Sequence, residues 1–286
     1  KVKMRRLGVH VSIAGGSYLS FERAKELGCT SMQIFSHNPR GWVSAKISHD
    51  EAAKFRQYSK TSGIEPVFIH SSYLINLSSP DNKTRERSIE LLSYELHTAD
   101  LLGIDYVVLH PGKSVGQEKE IAINKASEAL SYTAKLGKYK SGILLENTAG
   151  QRGDISSSIQ DIAEIAGAAP DGLIKGICLD TCHAFAAGHD IVNAEGLSKL
   201  RDEIVKYLSP LKIKLIHLND SKKGFSSGVD RHEHIGEGFI GIEGFKEILA
   251  FPFFKEIPLI LETPKLSEED DKKNLQKVKK ILRETE

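Results

Sequence analysis

Seven short apolar runs in the chain each end on a side chain able to bind a metal: His10, His70, His110, Glu146, Asp180, His217 and Glu262. An eighth run ends on Phe35. A carboxylate closing an apolar run is costly to bury unless it is paired or metal-bound. Here the pattern occurs three times, at Glu146, Asp180 and Glu262, so the runs call for cations near their ends. Two further motifs add ligands. Asp180-Thr181-Cys182-His183 puts a histidine just after one run, and Asp230-Arg231-His232-Glu233-His234 lies in a Gly-rich stretch. Alternation in an extended segment turns Asp230, His232 and His234 to one side, so this motif alone does not say which of them bind. Oxygen and nitrogen donors without thiolate leave a divalent ion Lewis-acidic and open to water.

The elements that must deliver these residues follow from the same runs. They are Leu7-Gly8-Val9-His10, Met32-Gln33-Ile34-Phe35, Val67-Phe68-Ile69-His70, Tyr106-Val107-Val108-Leu109-His110, Ile143-Leu144-Leu145-Glu146, Ile177-Cys178-Leu179-Asp180, Leu215-Ile216-His217 and Pro258-Leu259-Ile260-Leu261-Glu262. Short, β-branched and bounded by turn residues, they read as parallel strands buried on both faces. Helical patterns fill the gaps. One covers Phe21 to Leu27 and closes at Gly28, and another follows a capping box at Ser48-His49-Asp50-Glu51. A long one follows Ser79-Pro80, as cap residue and first-turn proline, and runs through Leu102 to Gly103. Others cover residues 119–136, 156–167, 195–208, 242–250 and 268–284. The lysines of the last read as a solvated face.

Eight strands alternating with eight helices predict a (β/α)8 TIM barrel, one domain over residues 1–286, with its site at the C-terminal rim of the strands. A doubly wound sheet competes, but no GxGxxG or P-loop follows an early strand. The rim explains how residues from distant parts of the chain converge on one mouth.

His49 and His97 sit within helix patterns and read as structural. Cys178 shares parity with Asp180 and reads as a small buried hydrophobe. Cys182, between two candidate ligands, has no second sulfur to pair with as a zinc thiolate and reads as structural.

Net charge is +1 over 286 residues, with 40% hydrophobic and 27% charged residues. This is globular composition, which excludes disorder, collagen and a disulfide scaffold. Three cysteines without a CxxC point to a reducing compartment. No apolar run approaches the ~20 residues of a membrane helix. The start, Lys1-Val2-Lys3-Met4-Arg5-Arg6, is basic and has no secretory apolar segment. The expected location is the cytoplasm, or the nucleus or an organelle if a targeting segment preceded Lys1.

Three segments then carry a family resemblance. His70-Ser71-Ser72-Tyr73-Leu74-Ile75-Asn76, Gly176-Ile177-Cys178-Leu179-Asp180-Thr181-Cys182-His183, and His217-Leu218-Asn219-Asp220-Ser221-Lys222 followed by Asp230-Arg231-His232 resemble the signatures of endonuclease IV, the zinc-dependent AP endonuclease family of base-excision repair. The likeness runs essentially end to end. It implies three Zn²⁺ ions per chain. His70 and His110 hold one, with Glu146 bridging to a second. The second also takes Asp180, His217 and Glu262, and the third takes His183, Asp230 and His232. His10 matches a position beside the ligands, and His189 and His234 match none. Three Zn²⁺ with four carboxylates leave the cluster at net +2, which suits an anionic phosphodiester.

The implied partner is double-stranded DNA carrying abasic sites or blocked 3′ ends, met by a monomer. The implied reaction cleaves 5′ to the abasic site, leaving a 3′-hydroxyl and a 5′-deoxyribose phosphate, and trims blocked 3′ ends. Glu146 and Glu262 are the implied catalytic residues, with Glu262 orienting or deprotonating the attacking water. Asn38-Pro39-Arg40-Gly41-Trp42 resembles a DNA-reading loop of the family. Arg40 would enter the duplex, Tyr73 and Leu74 would wedge into the stack, and Lys222, Lys223, Arg231 and Lys113 would meet phosphates. A metal-dependent sugar isomerase or epimerase on the same barrel is the alternative. The third ligand set at Asp230 and His232 speaks against it. A non-catalytic DNA-binding or zinc-storage protein is a third reading, but with all nine implied ligands intact and the Tyr73-Leu74 pair present, loss of catalysis has no support in the sequence.

Overall fold

The computed structural model describes residues 5–42, 46–267 and 269–285. The basic start at residues 1–4 and position 268, where the last predicted helix begins, lie outside them. Strands are β1 (Leu7–Val9), β2 (Met32–Phe35), β3 (Val67–His70), β4 (Tyr106–Leu109), β5 (Gly142–Glu146), β6 (Ile174–Asp180), β7 (Ile213–His217), the short β8 (Asp220–Ser221) and β9 (His232–Glu233), and β10 (Leu259–Leu261). Helices are α1 (Ser20–Glu26), α2 (His49–Ser62), α3 (Asn82–Leu102), α4 (Lys119–Leu136), α5 (Ile159–Ala168), α6 (Thr181–Ala187), α7 (Ala194–Leu208), α8 (Gly241–Ala250) and α9 (Asp270–Thr285).

The eight long-range strands pair in parallel in the order β1-β10-β7-β6-β5-β4-β3-β2. The two ends meet through a bridge between His10 and Gln33, where the Val11 N–H donates to Gln33 O at 2.7 Å. The protein is therefore a TIM barrel, with helices packed around the strands, as the alternation predicts. Among the described residues no helix is long and apolar enough to cross a membrane.

Strand period places the site. Phe68, Val108, Leu144, Cys178, Leu215 and Ile260, one from each of six strands, form a buried apolar layer inside the barrel. Side chains two residues apart share a strand face. The next inward positions are thus His70, His110, Glu146, Asp180, His217 and Glu262. The apolar layer is a floor, and the candidate ligands stand one step above it at the rim. Cys178 lies in the floor, as its parity predicts. The larger hydrophobic core fills the space between strands and helices, with Leu92, Leu96, Ile162, Leu200, Phe245 and Val278 on the helix side.

Several local expectations change. Ser48 caps α2 by accepting from the Glu51 N–H at 3.1 Å, but the reciprocal half of the box is replaced. Glu51 Oε1 instead accepts from the N–H and hydroxyl of Ser17, both at 2.8 Å, so it ties α2 to the loop after β1. The cap of α3 is Asp81, whose carboxylate accepts from Thr84 N–H at 2.8 Å. Pro80 therefore precedes the helix and does not occupy its first turn. A complete capping box does occur at the start of α5, between Ser158 and Asp161. The short helix α6 and the β8–β9 ribbon are additional to the eight strand–helix units. The lysines of α9 are not uniformly solvated: Lys277 donates to Ile235 O at 3.0 Å and Lys279 to Gly28 O at 2.9 Å. These contacts satisfy carbonyls at loop ends.

Candidate metal centre

Each candidate ligand reaches the mouth for a local reason. His70, Glu146, Asp180 and His217 are the last residues of their strands, and His110 and Glu262 follow theirs by one position. Asp180 also caps α6, accepting from His183 N–H at 2.8 Å. The strand-to-helix turn therefore fixes His183 above the rim. The β8–β9 ribbon returns His232, and Asp230 two residues earlier, to the same place.

Three groups of donors result, each with its ligand atoms within 4.8 Å of one another: His70, His110 and Glu146; Glu146, Asp180, His217 and Glu262; and His183, Asp230 and His232. These are the three sets that the resemblance implies. Glu146 stands between the first two. Its Oε2 lies 3.4 Å from His70 Nε2 and 3.1 Å from His110 Nε2, and its Oε1 2.9 Å from His217 Nδ1. His183 Nε2 and His232 Nε2 lie 3.3 and 3.5 Å from Asp230 Oδ1.

Two observations test whether these residues fit metal ions. Glu146 Oε2, His183 Nε2 and His232 Nε2 are buried and have no hydrogen-bond partner among the described residues. Such atoms are expensive to bury empty-handed. Second, the imidazoles are held by their other nitrogen. His70 Nδ1 donates to Ser71 O at 2.8 Å, His183 Nδ1 to Asn147 O at 2.9 Å, and His232 Nδ1 to Glu262 O at 3.0 Å. A metal-bound histidine characteristically donates its second N–H to a carbonyl or carboxylate. The residues fit.

Two alternative groupings bring in sulfur: Cys178 with Glu146 and His217, and Cys182 with Asp180 and His232. Burial pushes both thiols up to about 12, which favours the neutral thiol over a ligating thiolate.

Electrostatics point the same way. Burial opposes charge throughout the mouth and prevails at His110, which is lowered from the ordinary imidazole value, but attractions override it at the carboxylates and at His183. Against burial, His110 and His217 hold Glu146 well below the usual carboxylate range. Against burial, His217 and His70 hold Glu262 at about 2. Burial likewise disfavours charge on His183, but Asp180 and Asp230 raise it well above an ordinary imidazole. The site is a set of buried anions that draws positive charge to itself, protons included.

The remaining predicted residues ring this centre. His10 is pushed down to about 3, chiefly by burial, and so is neutral. Its Nδ1 accepts from Gln33 Nε2 at 3.0 Å. His234 turns away and its Nδ1 accepts from Asn274 Nδ2 at 3.0 Å. His189 lies 3.9 Å from Glu203 Oε2, outside the centre. Tyr73 is 66% exposed at the rim, its ring 5.3 Å edge-on from Phe35. Leu74 is half-buried and Arg40 exposed. An open cavity of about 920 Å³ is lined by His70, Tyr73, His183, His232 and Glu262, and a smaller one of about 350 Å³ also borders Tyr73. Some basic residues already have partners. Lys113 lies 3.4 Å from Asp154 Oδ1, Lys222 3.5 Å from Glu233 Oε2, and Arg231 donates to Asp230 O at 2.8 Å.

Sequence reasoning passes over Gln33, Asn147 and Asn219. Asn219 Nδ2 donates to Asp180 Oδ2 at 2.7 Å, while its Oδ1 accepts from Glu262 N–H at 2.7 Å. Asn147 clamps the Asp180 backbone, accepting from its N–H at 2.7 Å. The available signal is an amide one or two places past a strand-end ligand, and, for Gln33, a polar residue inside an otherwise apolar strand.

A barrel with this rim belongs to a recognisable class: the chain is a member of the xylose isomerase-like TIM barrel family, which it matches over residues 21–285. Within that class it belongs to the endonuclease IV family. It is 43% identical over 267 residues to a Halothermothrix orenii protein named "probable endonuclease 4", covering 93% of this chain and 95% of that one. It is 40% identical over 285 residues to one of the same name from Chloroflexus aurantiacus, covering 99% and 100%. The crystal structure of endonuclease IV from Thermus thermophilus superposes with a TM-score of 0.85 at 37% identity, covering 98% of this chain and 99% of that one. A D-tagatose 3-epimerase-like protein, 19% identical with a TM-score of 0.73, covers 97% and 98% and shares the fold.

Proposed function

We propose that this protein is a metal-dependent AP endonuclease of DNA repair. It hydrolyses the phosphodiester 5′ to an abasic site, leaves a 3′-hydroxyl and a 5′-deoxyribose phosphate, and trims blocked 3′ ends. The observation that carries this reading is the convergence of three donor groups around Glu146 at a rim crowned by exposed Tyr73 and Arg40. His70, His110 and Glu146 would hold one zinc ion; Glu146, Asp180, His217 and Glu262 a second; His183, Asp230 and His232 a third. Bound there, such ions supply Lewis acidity to water and to phosphate oxygens.

The chain's own residues do the rest. Glu262, half-buried beside the cavity and held ionised, would orient the attacking water or take its proton. Glu146 keeps the first two ion positions in register. Tyr73 and Leu74 would fill the gap in the stack, Arg40 would enter beside them, and Lys222 and Arg231 would follow the phosphates. His10 would hold Gln33 from behind. All nine candidate ligands come from one chain, so a monomer suffices. The third donor group supports a phosphodiester over the sugar of the isomerase alternative.

The test joins metal analysis with cleavage of an abasic duplex. Near three zinc ions per chain and a product with a 3′-hydroxyl and 5′-deoxyribose phosphate are expected. An intact duplex, or a 3′-unsaturated aldehyde end from lyase chemistry, would overturn the proposal.

A further inference from the structure

Gln33 is a buried amide at the seam where the barrel closes. It lies on β2, which, like β1, supplies no candidate ligand. Its side chain nevertheless touches three residues of the mouth. Nε2 donates to Glu262 Oε1 at 2.6 Å and to His10 Nδ1 at 3.0 Å, and Oε1 lies 2.8 Å from His217 Nε2.

The sense of the amide is forced. Ionised Glu262 can only accept, so the NH₂ group must face it. The carbonyl then faces His217, whose Nε2 must carry the hydrogen. His217 is thereby turned the opposite way from its neighbours. His70, His183 and His232 donate through Nδ1 and keep Nε2 for the centre. His217 donates through Nε2 and keeps Nδ1, which lies 2.9 Å from Glu146 Oε1 and 3.4 Å from Glu262 Oε2. The acceptor that a backbone carbonyl provides for the other three is here the side chain of Gln33. His10 closes the frame: it takes the second amide hydrogen and stops the amide from flipping.

We infer that Gln33 is a positioning residue for the second ion position: one amide fixes His217 with Nδ1 toward the centre and steers Glu262 beside it. The inference rests on the zinc reading above but makes a separate demand, that a β2 side chain which binds no metal controls the retention of one ion.

Gln33→Met keeps the length and volume of the side chain and removes both hydrogen-bonding ends, and Gln33→Ala serves if the methionine variant does not fold. The probe is Zn²⁺ retained during titration with a chelator, alongside the His217 Nε2–H proton resonance. A loss of affinity of about 10–100-fold at one ion position, with the other two unchanged, is the expected scale for removing such a partner. The proton resonance should move upfield as its acceptor disappears. Wild-type retention in the substituted protein would overturn the inference, because packing alone would then explain Gln33. If the wild type itself does not take up three ions, the zinc reading fails, and the resonance decides the role of Gln33: an unmoved proton overturns it.

Discussion

Glu146 Oε1 and His217 Nδ1 stand 2.9 Å apart although their strands, β5 and β7, are separated in the barrel by β6. The two side chains meet because each is the inward residue one step above the apolar floor. The other oxygen of the same carboxylate lies within reach of His70 and His110. Glu146 is therefore shared by two donor groups, whereas His232 serves one. Metal content should report this difference. Glu146→Ala is expected to lower zinc from near three per chain toward one, and His232→Ala toward two. Cys182→Ser should leave it unchanged. A zinc lost on changing Cys182, measured by elemental analysis of folded protein, would show that the sulfur is a ligand.

Glu262 is held at about 2 by His217 and His70 against its burial, so it is ionised across the working pH range and able to accept a hydrogen bond that orients an attacking water. Glu262→Gln should keep the fold and the binding of abasic duplex. Single-turnover cleavage should fall well beyond tenfold, or ~1.4 kcal/mol in the barrier. A rate within tenfold of wild type would remove Glu262 from the catalytic role.

Glu95 offers a stability prediction away from the ligands. It is fully buried on α3, and burial raises its carboxyl to about 8 from 4.5. Its Oε1 accepts from Ser72 N–H at 2.8 Å and lies 3.8 Å from His37 Nδ1. The folded state thus keeps a proton that the unfolded chain has lost above pH ~4.5. Stability from this group is complete below that pH and declines as pH rises toward about 8. Glu95→Gln keeps an acceptor for Ser72 and cannot ionise. Its unfolding free energy, measured in denaturant, should gain on wild type from pH ~5 to pH ~8 by a few kcal/mol, at ~1.4 kcal/mol per pK unit. A constant difference over that range would mean that Glu95 stays charged in the folded protein.

The barrel and its candidate ligands are readable because strand period and strand-end chemistry coincide. A histidine or carboxylate ending an apolar run is both a packing anomaly and a placement. Supporting residues are less readable. Gln33 and Asn219 act through side-chain hydrogen bonds across 229 and 43 positions of sequence, and such partners leave no periodic trace. The Asp230–His234 stretch shows the same limit. Alternation makes His234 equivalent to His232, and tertiary contacts separate them: His234 meets Asn274 on α9, whereas His232 meets Glu262 O and Asp230. Caps escape sequence reasoning where competition decides the outcome: Glu51 is taken by Ser17, and Asp81 outcompetes Ser79 at the start of α3.

Tyr73 and Leu74 yield the sharpest test of how substrate reaches the centre. They follow His70 closely, and Ser72 between them and the ligand is tied down on two sides. Its N–H donates to Glu95, and its hydroxyl donates to Pro39 O at 2.6 Å, in the loop that carries Arg40. The two proposed DNA-entering loops are thus joined at their base, while Tyr73 stands out 66% exposed. A phosphodiester in an intact duplex cannot reach the recessed donors without bending and unstacking. That distortion costs a few kcal/mol and is least where a base is already missing. An aromatic and an aliphatic side chain in the gap would offset it. Changing both Tyr73 and Leu74 to Ala should leave zinc content intact and slow cleavage of abasic duplex well over tenfold. It should matter far less for a flexible 3′-phosphate ester, which needs little opening. Equal losses on both substrates, or a lost zinc, would mean that the pair supports the centre and does not open the duplex.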